Sequence, residues 1–370
     1  MIFRAPKYYK EFHCIANNCK DSCCQAGWEI DIDKETEYYY REVEGEFGNK
    51  LRESITNEND PEESVHFILR EDKKCPFFNE NKLCDIYTKL GEEHLCQICK
   101  DHPRFYEWFE FAGVKEAGVG LCCEEAARII LSQVDKFSCY EENIYDVSDD
   151  IISYSQDNKE DDMRLYNYLF SAREKIINYL DTSNNKLNNK LKNILWYGQT
   201  LQQNIDNNLL DDEEIIDIDS KIKTNINPII SYMSSLEPND EKWPNYLRNC
   251  SELSDTYYKK IAEFENNNPE VENYLKNIAI YFIWRYFLKG VFDGDVLSEI
   301  KLMYVSCNVL KYLFFCKWLE KEETTLTLDN CINIVKKYSE EVEYSEDNLV
   351  DFANDSYDLE CLETNYLLGI

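Results

Sequence analysis

From Met163 onward the apolar positions recur at intervals of three and four. Leu165, Tyr168, Leu169, Ala172, Ile176, Ile177 and Leu180 mark one face of a helix, and the same period predicts helices over Leu187–Leu201, Tyr257–Phe264, Val271–Phe292, Val296–Leu319 and Asn330–Tyr338. Asn- and Asp-rich loops at Asn204–Asp219 and Ser234–Asn245 separate them. Before residue 135 the pattern changes. Residues 1–33 predict irregular chain, apart from a short strand where Trp28 and Ile30 alternate against Glu29 and Asp31. Asp33 can accept the free N–H groups of a helix that starts at Lys34 and runs toward Ile55, with Gly45 and Gly48 as places where it can break. A polar break at Asn57–Glu63 leads to a strand at Val65–Leu69, and alternation over residues 107–120 about Gly113 and Gly118 predicts a hairpin. Cys122-Cys123-Glu124-Glu125-Ala126-Ala127-Arg128 opens a further helix with acids in its first turn, and Ser148–Asp162 is an acidic connector. The expected fold is mainly α. An irregular Cys-rich metal-binding region with a few short strands, residues 1–135, is followed by an all-helical domain, residues 136–370.

Charge narrows the function. The formal net charge is −32, and both parts are acidic, which excludes a nucleic-acid binder because phosphates demand a basic face. A solvated acidic surface keeps a protein soluble; the sharper reading is attraction for a lysine-bearing partner. The most apolar stretches, Ile278–Phe292 and Leu302–Leu319, carry Arg285, Lys289, Lys311 and Lys317, so they read as buried core helices and not as membrane spans. The opening Met1-Ile2-Phe3-Arg4-Ala5-Pro6-Lys7 has no apolar run of the kind a secretory signal needs, so the cytoplasm is the expected compartment, and there disulfides rarely persist.

That expectation sharpens the meaning of the cysteines. Cys14, Cys19, Cys23, Cys24, Cys75, Cys84, Cys96 and Cys99 cluster early in the chain, and Cys123 follows. Short spacings argue against small core hydrophobes, which is how the scattered Cys139, Cys250, Cys307, Cys316, Cys331 and Cys361 read. Cys75-Pro76 followed by a turn at Asn79–Lys82 and a returning Cys84 aims sulfurs inward, and Cys96-x2-Cys99 has the spacing at which two sulfurs reach one metal. Four thiolates serve either a structural zinc or an iron–sulfur cluster, and there are enough for two sites. The vicinal Cys23 and Cys24 diverge from one backbone and can serve different ions. His94 and His102 flank the C-x2-C pair as substitute ligands. No G-x-G-x-x-G, P-loop, G-x-S-x-G or H-E-x-x-H motif is present.

As a set, Cys14-x4-Cys19-x3-Cys23-Cys24-Gln-Ala-Gly-Trp28, Cys75-Pro-Phe-Phe with Leu-Cys84-Asp-Ile-Tyr87, Gly91-Glu-Glu-His-Leu-Cys96-x2-Cys99 and Asp101-His-Pro103-Arg104 resemble the flagellin lysine-N-methylases. The N-terminal part of that family is similar to a broader family of Cys-rich zinc- or iron-chelating proteins. The resemblance is dense over residues 1–135 and includes Cys123-Glu-Glu-Ala-Ala-Arg128; beyond that it rests on length and helical character. Cys122 beside Cys123, and His102 where an aromatic is more usual, depart from the pattern. What the resemblance implies is transfer of methyl groups from S-adenosylmethionine to lysine ε-amines of flagellin. It also implies an iron–sulfur cluster, of 4Fe-4S type, held among the nine early thiols, with zinc as the alternative.

Methylation needs the neutral amine, and a lysine with a pKa near ~10.4 must first lose a proton. A carboxylate or tyrosine can receive it, and an aromatic face can hold a sulfonium. Asp101, Arg104 and Tyr87 are the candidate catalytic groups, and Trp28 the candidate for the methyl donor, because they stand beside the thiols. Each also has a structural role open to it, Arg104 as an ion-pair partner and the rings as packing. Two rivals predict other outcomes: a metal-stabilised adaptor binds its partner without methylating it, and an iron–sulfur redox protein shows a reversible potential without methyl transfer.

Overall fold

The computed structural model describes residues 1–25, 27–56, 64–144, 159–219, 222–320 and 325–370. The expected break at Asn57–Glu63 and most of the connector Ser148–Asp162 lie outside the described residues. The strands are β1 (Ile2–Pro6), β2 (Arg104–Phe109), β3 (Val114–Val119) and β4 (Cys139–Asn143). The early helices are α1 (Lys34–Glu42), α2 (Gly45–Glu53), α3 (Asp85–Leu90), α4 (Gln97–Asp101) and α5 (Glu124–Leu131). Then follow α6 (Lys159–Thr182), α7 (Leu187–Asp206), α8 (Asn227–Met233), α9 (Trp243–Ser251), α10 (Ser254–Asn267) and α11 (Glu270–Tyr286). The last are α12 (Gly290–Asp293), α13 (Leu297–Glu320), α14 (Leu328–Val342), α15 (Glu346–Asp358) and α16 (Thr364–Leu367). Helix dominates, as the periodicity predicts. No helix among the described residues is long and apolar enough to cross a membrane.

Two compact units result. The larger comprises Met1–Glu11, Tyr106–Cys122 and Ala127–Ile370. At its centre runs α13, buried on almost every side from Ile300 to Cys316, packed against α7, α11, α14 and α15. A helix buried all round needs close neighbours, and Gly198 of α7 supplies one: a Cβ there would lie 2.6 Å from Ile300 Cδ1. Cys250, Cys307, Cys316 and Cys331 are buried as expected, and Cys139 and Cys361 are half-buried.

The same unit holds a four-stranded sheet in the order β2-β3-β1-β4. β1 runs parallel to β3, pairing Arg4 with Glu116, and antiparallel to β4, pairing Pro6 with Cys139. The opening residues, expected as irregular chain, are therefore a central strand, and β4 adds a strand beyond residue 135 where helix alone was expected. Both are five residues long and acquire strand character from partners more than a hundred positions away, which local alternation cannot display. Arg173 of α6 donates both ends of its guanidinium to Glu116 at 2.6 and 2.7 Å, and Arg4 adds a bond at 2.9 Å, so one buried carboxylate ties sheet to helix.

The smaller unit comprises Phe12–Phe105 and Cys123–Ala126, and its boundaries do not follow a single cut at residue 135. The helix expected from Lys34 toward Ile55 breaks into α1 and α2 at the predicted place. Gly45 has φ +81°, and a Cβ on Gly48 would lie 1.8 Å from the Val43 carbonyl oxygen, so the turn closes against bare backbone. The predicted strands near residues 28–31 and 65–69 shrink to isolated antiparallel bridges, Asp31 with His66 and Ile55 with Phe67.

Candidate metal centre

The core of the smaller unit is built from Ile30, Ile32, Tyr40, Leu51, Ile55, Phe67, Phe77, Phe78 and Ile86, and Cys75 and Cys96 are members of it. Cys24, Cys84 and Trp28 pack on its margin. Local structure places each sulfur. The Cys75 N–H donates to the Cys24 carbonyl at 3.0 Å, which joins two segments far apart in sequence. After Cys75 the chain turns as predicted. The Asn79 side-chain oxygen accepts from the N–H groups of Asn81 and Leu83 at 2.9 and 3.1 Å, bringing Cys84 back opposite Phe78. Cys84 holds the N-cap position of α3 and Cys96 that of α4, neither with a side-chain capping bond. The nearby backbone amides, those of Ile86 and Tyr87 at Cys84 and that of Cys99 at Cys96, favour the thiolate form.

Asp33 fixes the second of these caps. Its carboxylate accepts from Thr36 N–H at 3.0 Å in α1 and from Gln97 N–H at 2.8 Å in α4. Burial opposes its ionisation, but the two amide bonds outweigh it and hold the carboxyl below its usual value. Asp33→Ala removes a cap and a tie at once. It is expected to cost roughly 1–3 kcal/mol in urea unfolding above about pH 4, and the difference disappears as acid protonates the wild-type carboxylate.

The thiols fall into two electrostatic groups. Cys24, Cys75, Cys84, Cys96 and Cys99 form the inner one. Burial pushes Cys75 up to about 12, and negative charge on Cys24, Cys84 and Cys96 adds to the rise. The interaction between Cys96 and Cys99 raises Cys99 and lowers Cys96. Cys24, receiving a bond from Cys23, is lowered to about 7. The outer group is Cys14, Cys19, Cys23 and Cys123. Cys23 is raised first by its bond to Cys24 and by burial, then by Cys123 and Cys14. Burial, with Glu124 and Cys123, raises Cys19 to about 12. None of the sixteen cysteines is joined in a disulfide. As thiolates these sulfurs raise one another's pKa by charge repulsion, and a bound cation relieves it. The donor set therefore fits a thiolate-ligated metal centre.

The neighbouring candidates have definite surroundings. Asp101 accepts from Gln97 Nε2 at 2.7 Å along α4. Arg104 donates to the Lys100 carbonyl at 3.4 Å and lies 5.1 Å from the Phe12 ring centroid. The side chain of Tyr87 is exposed. Trp28 stands edge-on to His102 at 4.6 Å, and His94 stacks on Tyr39 at 4.0 Å, so both histidines are engaged with rings.

Two arrangements were missed in the sequence. Among the described residues, the set of three or more metal-capable groups whose ligand atoms all lie within 4.8 Å of one another is Glu29, Asp31 and His66. The alternation at 28–31 put both acids on one face; what it lacked was the pairing with His66. His66 Nδ1 lies 3.0 Å from the Ser64 carbonyl and 3.3 Å from Glu29, a surface imidazole held by acceptors. In the larger unit, Glu299 of α13 is pushed up to about 8, by burial first, with Lys289 opposing and Asp293, Asp295 and Glu107 adding to the rise. A carboxyl whose folded pKa is raised costs stability as pH climbs from the unfolded value of about 4.5 through 8. Glu299→Gln should thus raise Tm by roughly 2–4 °C at pH 9 and leave it unchanged at pH 4.

Residues 169–370 match the model of the FliB lysine N-methylase C-terminal domain. The lysine-N-methylases of Salmonella typhimurium and Salmonella choleraesuis are each 24% identical to the chain over 142 residues, 38% of this chain and 35% of theirs. The flagellar biosynthetic protein FliU of Salmonella muenchen is 25% identical over 146 residues, 38% of this chain and 83% of its own length. The chain thus spans about a third of the length of the curated lysine-N-methylases it matches. No solved structure matches.

Proposed function

The chain belongs to the FliB lysine N-methylase family, and from that membership we propose that it transfers methyl groups from S-adenosylmethionine to lysine ε-amines of flagellin in the cytoplasm, and that it does so only with an iron–sulfur centre held by its early thiols. The observation that carries the second half is that Cys75 and Cys96 lie in the small core, Cys24 and Cys84 pack against it, and these four and Cys99 act on one another electrostatically. The preference for a cluster over zinc comes from the family resemblance; among the described residues no three of these sulfurs lie within 4.8 Å of one another. When bound, such a centre supplies cross-links between chain segments and a charge that the thiolates neutralise.

The transfer itself asks little of covalent chemistry. The amine nitrogen's lone pair forms the new bond to the methyl carbon as the carbon–sulfur bond breaks, the thioether leaves neutral, and a proton departs from nitrogen. The protein must bind the two reactants in line and take that proton. A surface at −32 suits a lysine-bearing partner.

The test is intact-mass analysis of flagellin incubated with S-adenosylmethionine and the anaerobically purified protein. Increments of about 14 mass units per methyl group support the proposal. Tight binding of flagellin with unchanged mass would make the protein an adaptor instead.

A further inference from the structure

The larger unit contains a cavity of about 470 Å³ beside the C-terminal end of α5, where residues 7–11, the segment 133–138 and α11 meet. That volume falls in the range of small-molecule sites. Its wall includes Tyr8, 7% exposed, whose hydroxyl has no hydrogen-bond partner among the described residues. Burial raises the Tyr8 phenol well above its usual value, so at neutral pH it is a neutral hydroxyl able to donate. Phe137, half-buried, stands edge-on to Tyr8 at 6.5 Å and completes an aromatic wall. At the rim are Lys7, Lys136, Glu11 and Asp135, all exposed, and none makes an ion pair among the described residues.

We propose that this cavity is the binding site for the methyl donor, a nucleoside sulfonium of the S-adenosylmethionine class. The inference rests on the methyltransferase reading above and gives it a place. Such a donor carries a carboxylate, an ammonium, a sulfonium and a flat aromatic base. Two uncommitted lysines and two uncommitted carboxylates at one mouth match a ligand bearing both signs of charge; a purely anionic ligand would leave the acids opposed to it, and a purely cationic one the lysines. The base lies against Phe137, and the Tyr8 hydroxyl donates to it or to the ribose. Trp28 is then a packing residue of the thiol-bearing unit and takes no part in holding the donor.

The test uses whole, metal-loaded protein and calorimetric titration with S-adenosylmethionine and with S-adenosylhomocysteine, which lacks the methyl group. Asp135→Asn and Glu11→Gln are expected to weaken donor binding at least fivefold each, and Tyr8→Phe about three- to tenfold, with iron content and Tm unchanged. Photolabelling with an azidoadenine analogue should mark the peptide that contains Phe137, and S-adenosylhomocysteine should protect it. If wild-type protein methylates flagellin while all three variants bind the donor as wild type does, the cavity is not the site. Labelling of a peptide elsewhere would likewise overturn it. Wild-type protein that binds the donor here but never changes the mass of flagellin overturns the methyltransferase reading and leaves the cavity standing as a sulfonium-nucleoside site. Wild-type protein that binds no donor overturns both.

Discussion

Cys96→Ser will lose its inorganic centre and, with it, all detectable methyl transfer. Cys96 is 1% exposed, stands at the N-cap position of α4, is lowered by its interaction with Cys99, and is tied through the adjoining Gln97 N–H to Asp33. Serine fits the space, but its hydroxyl does not ionise near neutral pH, so a thiolate proposed as a ligand disappears where no solvent can replace it. Iron per chain should fall below roughly a tenth of the wild-type value, since ligand loss in a closed site removes most of the binding free energy. Cys361→Ser, a half-buried thiol on a short helical turn of the other unit, is the control and should keep both iron and activity. Equal iron in the two variants would remove Cys96 from the ligand set.

The second large effect lies in the fold. Glu116→Gln should destabilise the larger unit by about 3–5 kcal/mol, because it strands a charge that cannot be discharged. Arg173 has no exposed surface; its guanidinium is held by both oxygens of Glu116 and lies 4.4 Å from the Trp284 ring centroid. An arginine does not shed its proton at accessible pH, so without the carboxylate it keeps a buried, uncompensated charge. Arg4 loses its partner on the same residue but retains Glu141 at 2.7 Å. Urea unfolding at pH 7 measures the change, and a loss under about 1 kcal/mol would mean the pair contributes little beyond packing.

The contrast between these residues shows what the sequence could carry. Cys96-x2-Cys99 and the turn between Cys75 and Cys84 are local, and their geometry follows from spacing within a few residues. The cap at Asp33 was visible for the same reason, although its second bond, to Gln97, was not. Glu116 and Arg173 looked like any acid in a hairpin and any base on a helix. Their burial depends on β1 being a central strand, and that depends on β3 and β4, far along the chain. Helices with long apolar faces, such as α6 and α13, were legible from period alone. The short α8 and α9, each with proline near its start, and α15, polar over most of its length, were lost among loops and polar residues because none is long or apolar enough to impose a period. Glu29, Asp31 and His66, and the cavity beside Tyr8, are likewise products of tertiary pairing.

All of this turns on what the early thiols hold. Iron and acid-labile sulfide, measured per chain on protein purified without oxygen, test that most directly. The predicted result is iron and sulfide in near-equal amounts, both lost together in Cys96→Ser. Protein that contains zinc alone, or no metal, and methylates flagellin at the full rate would contradict it.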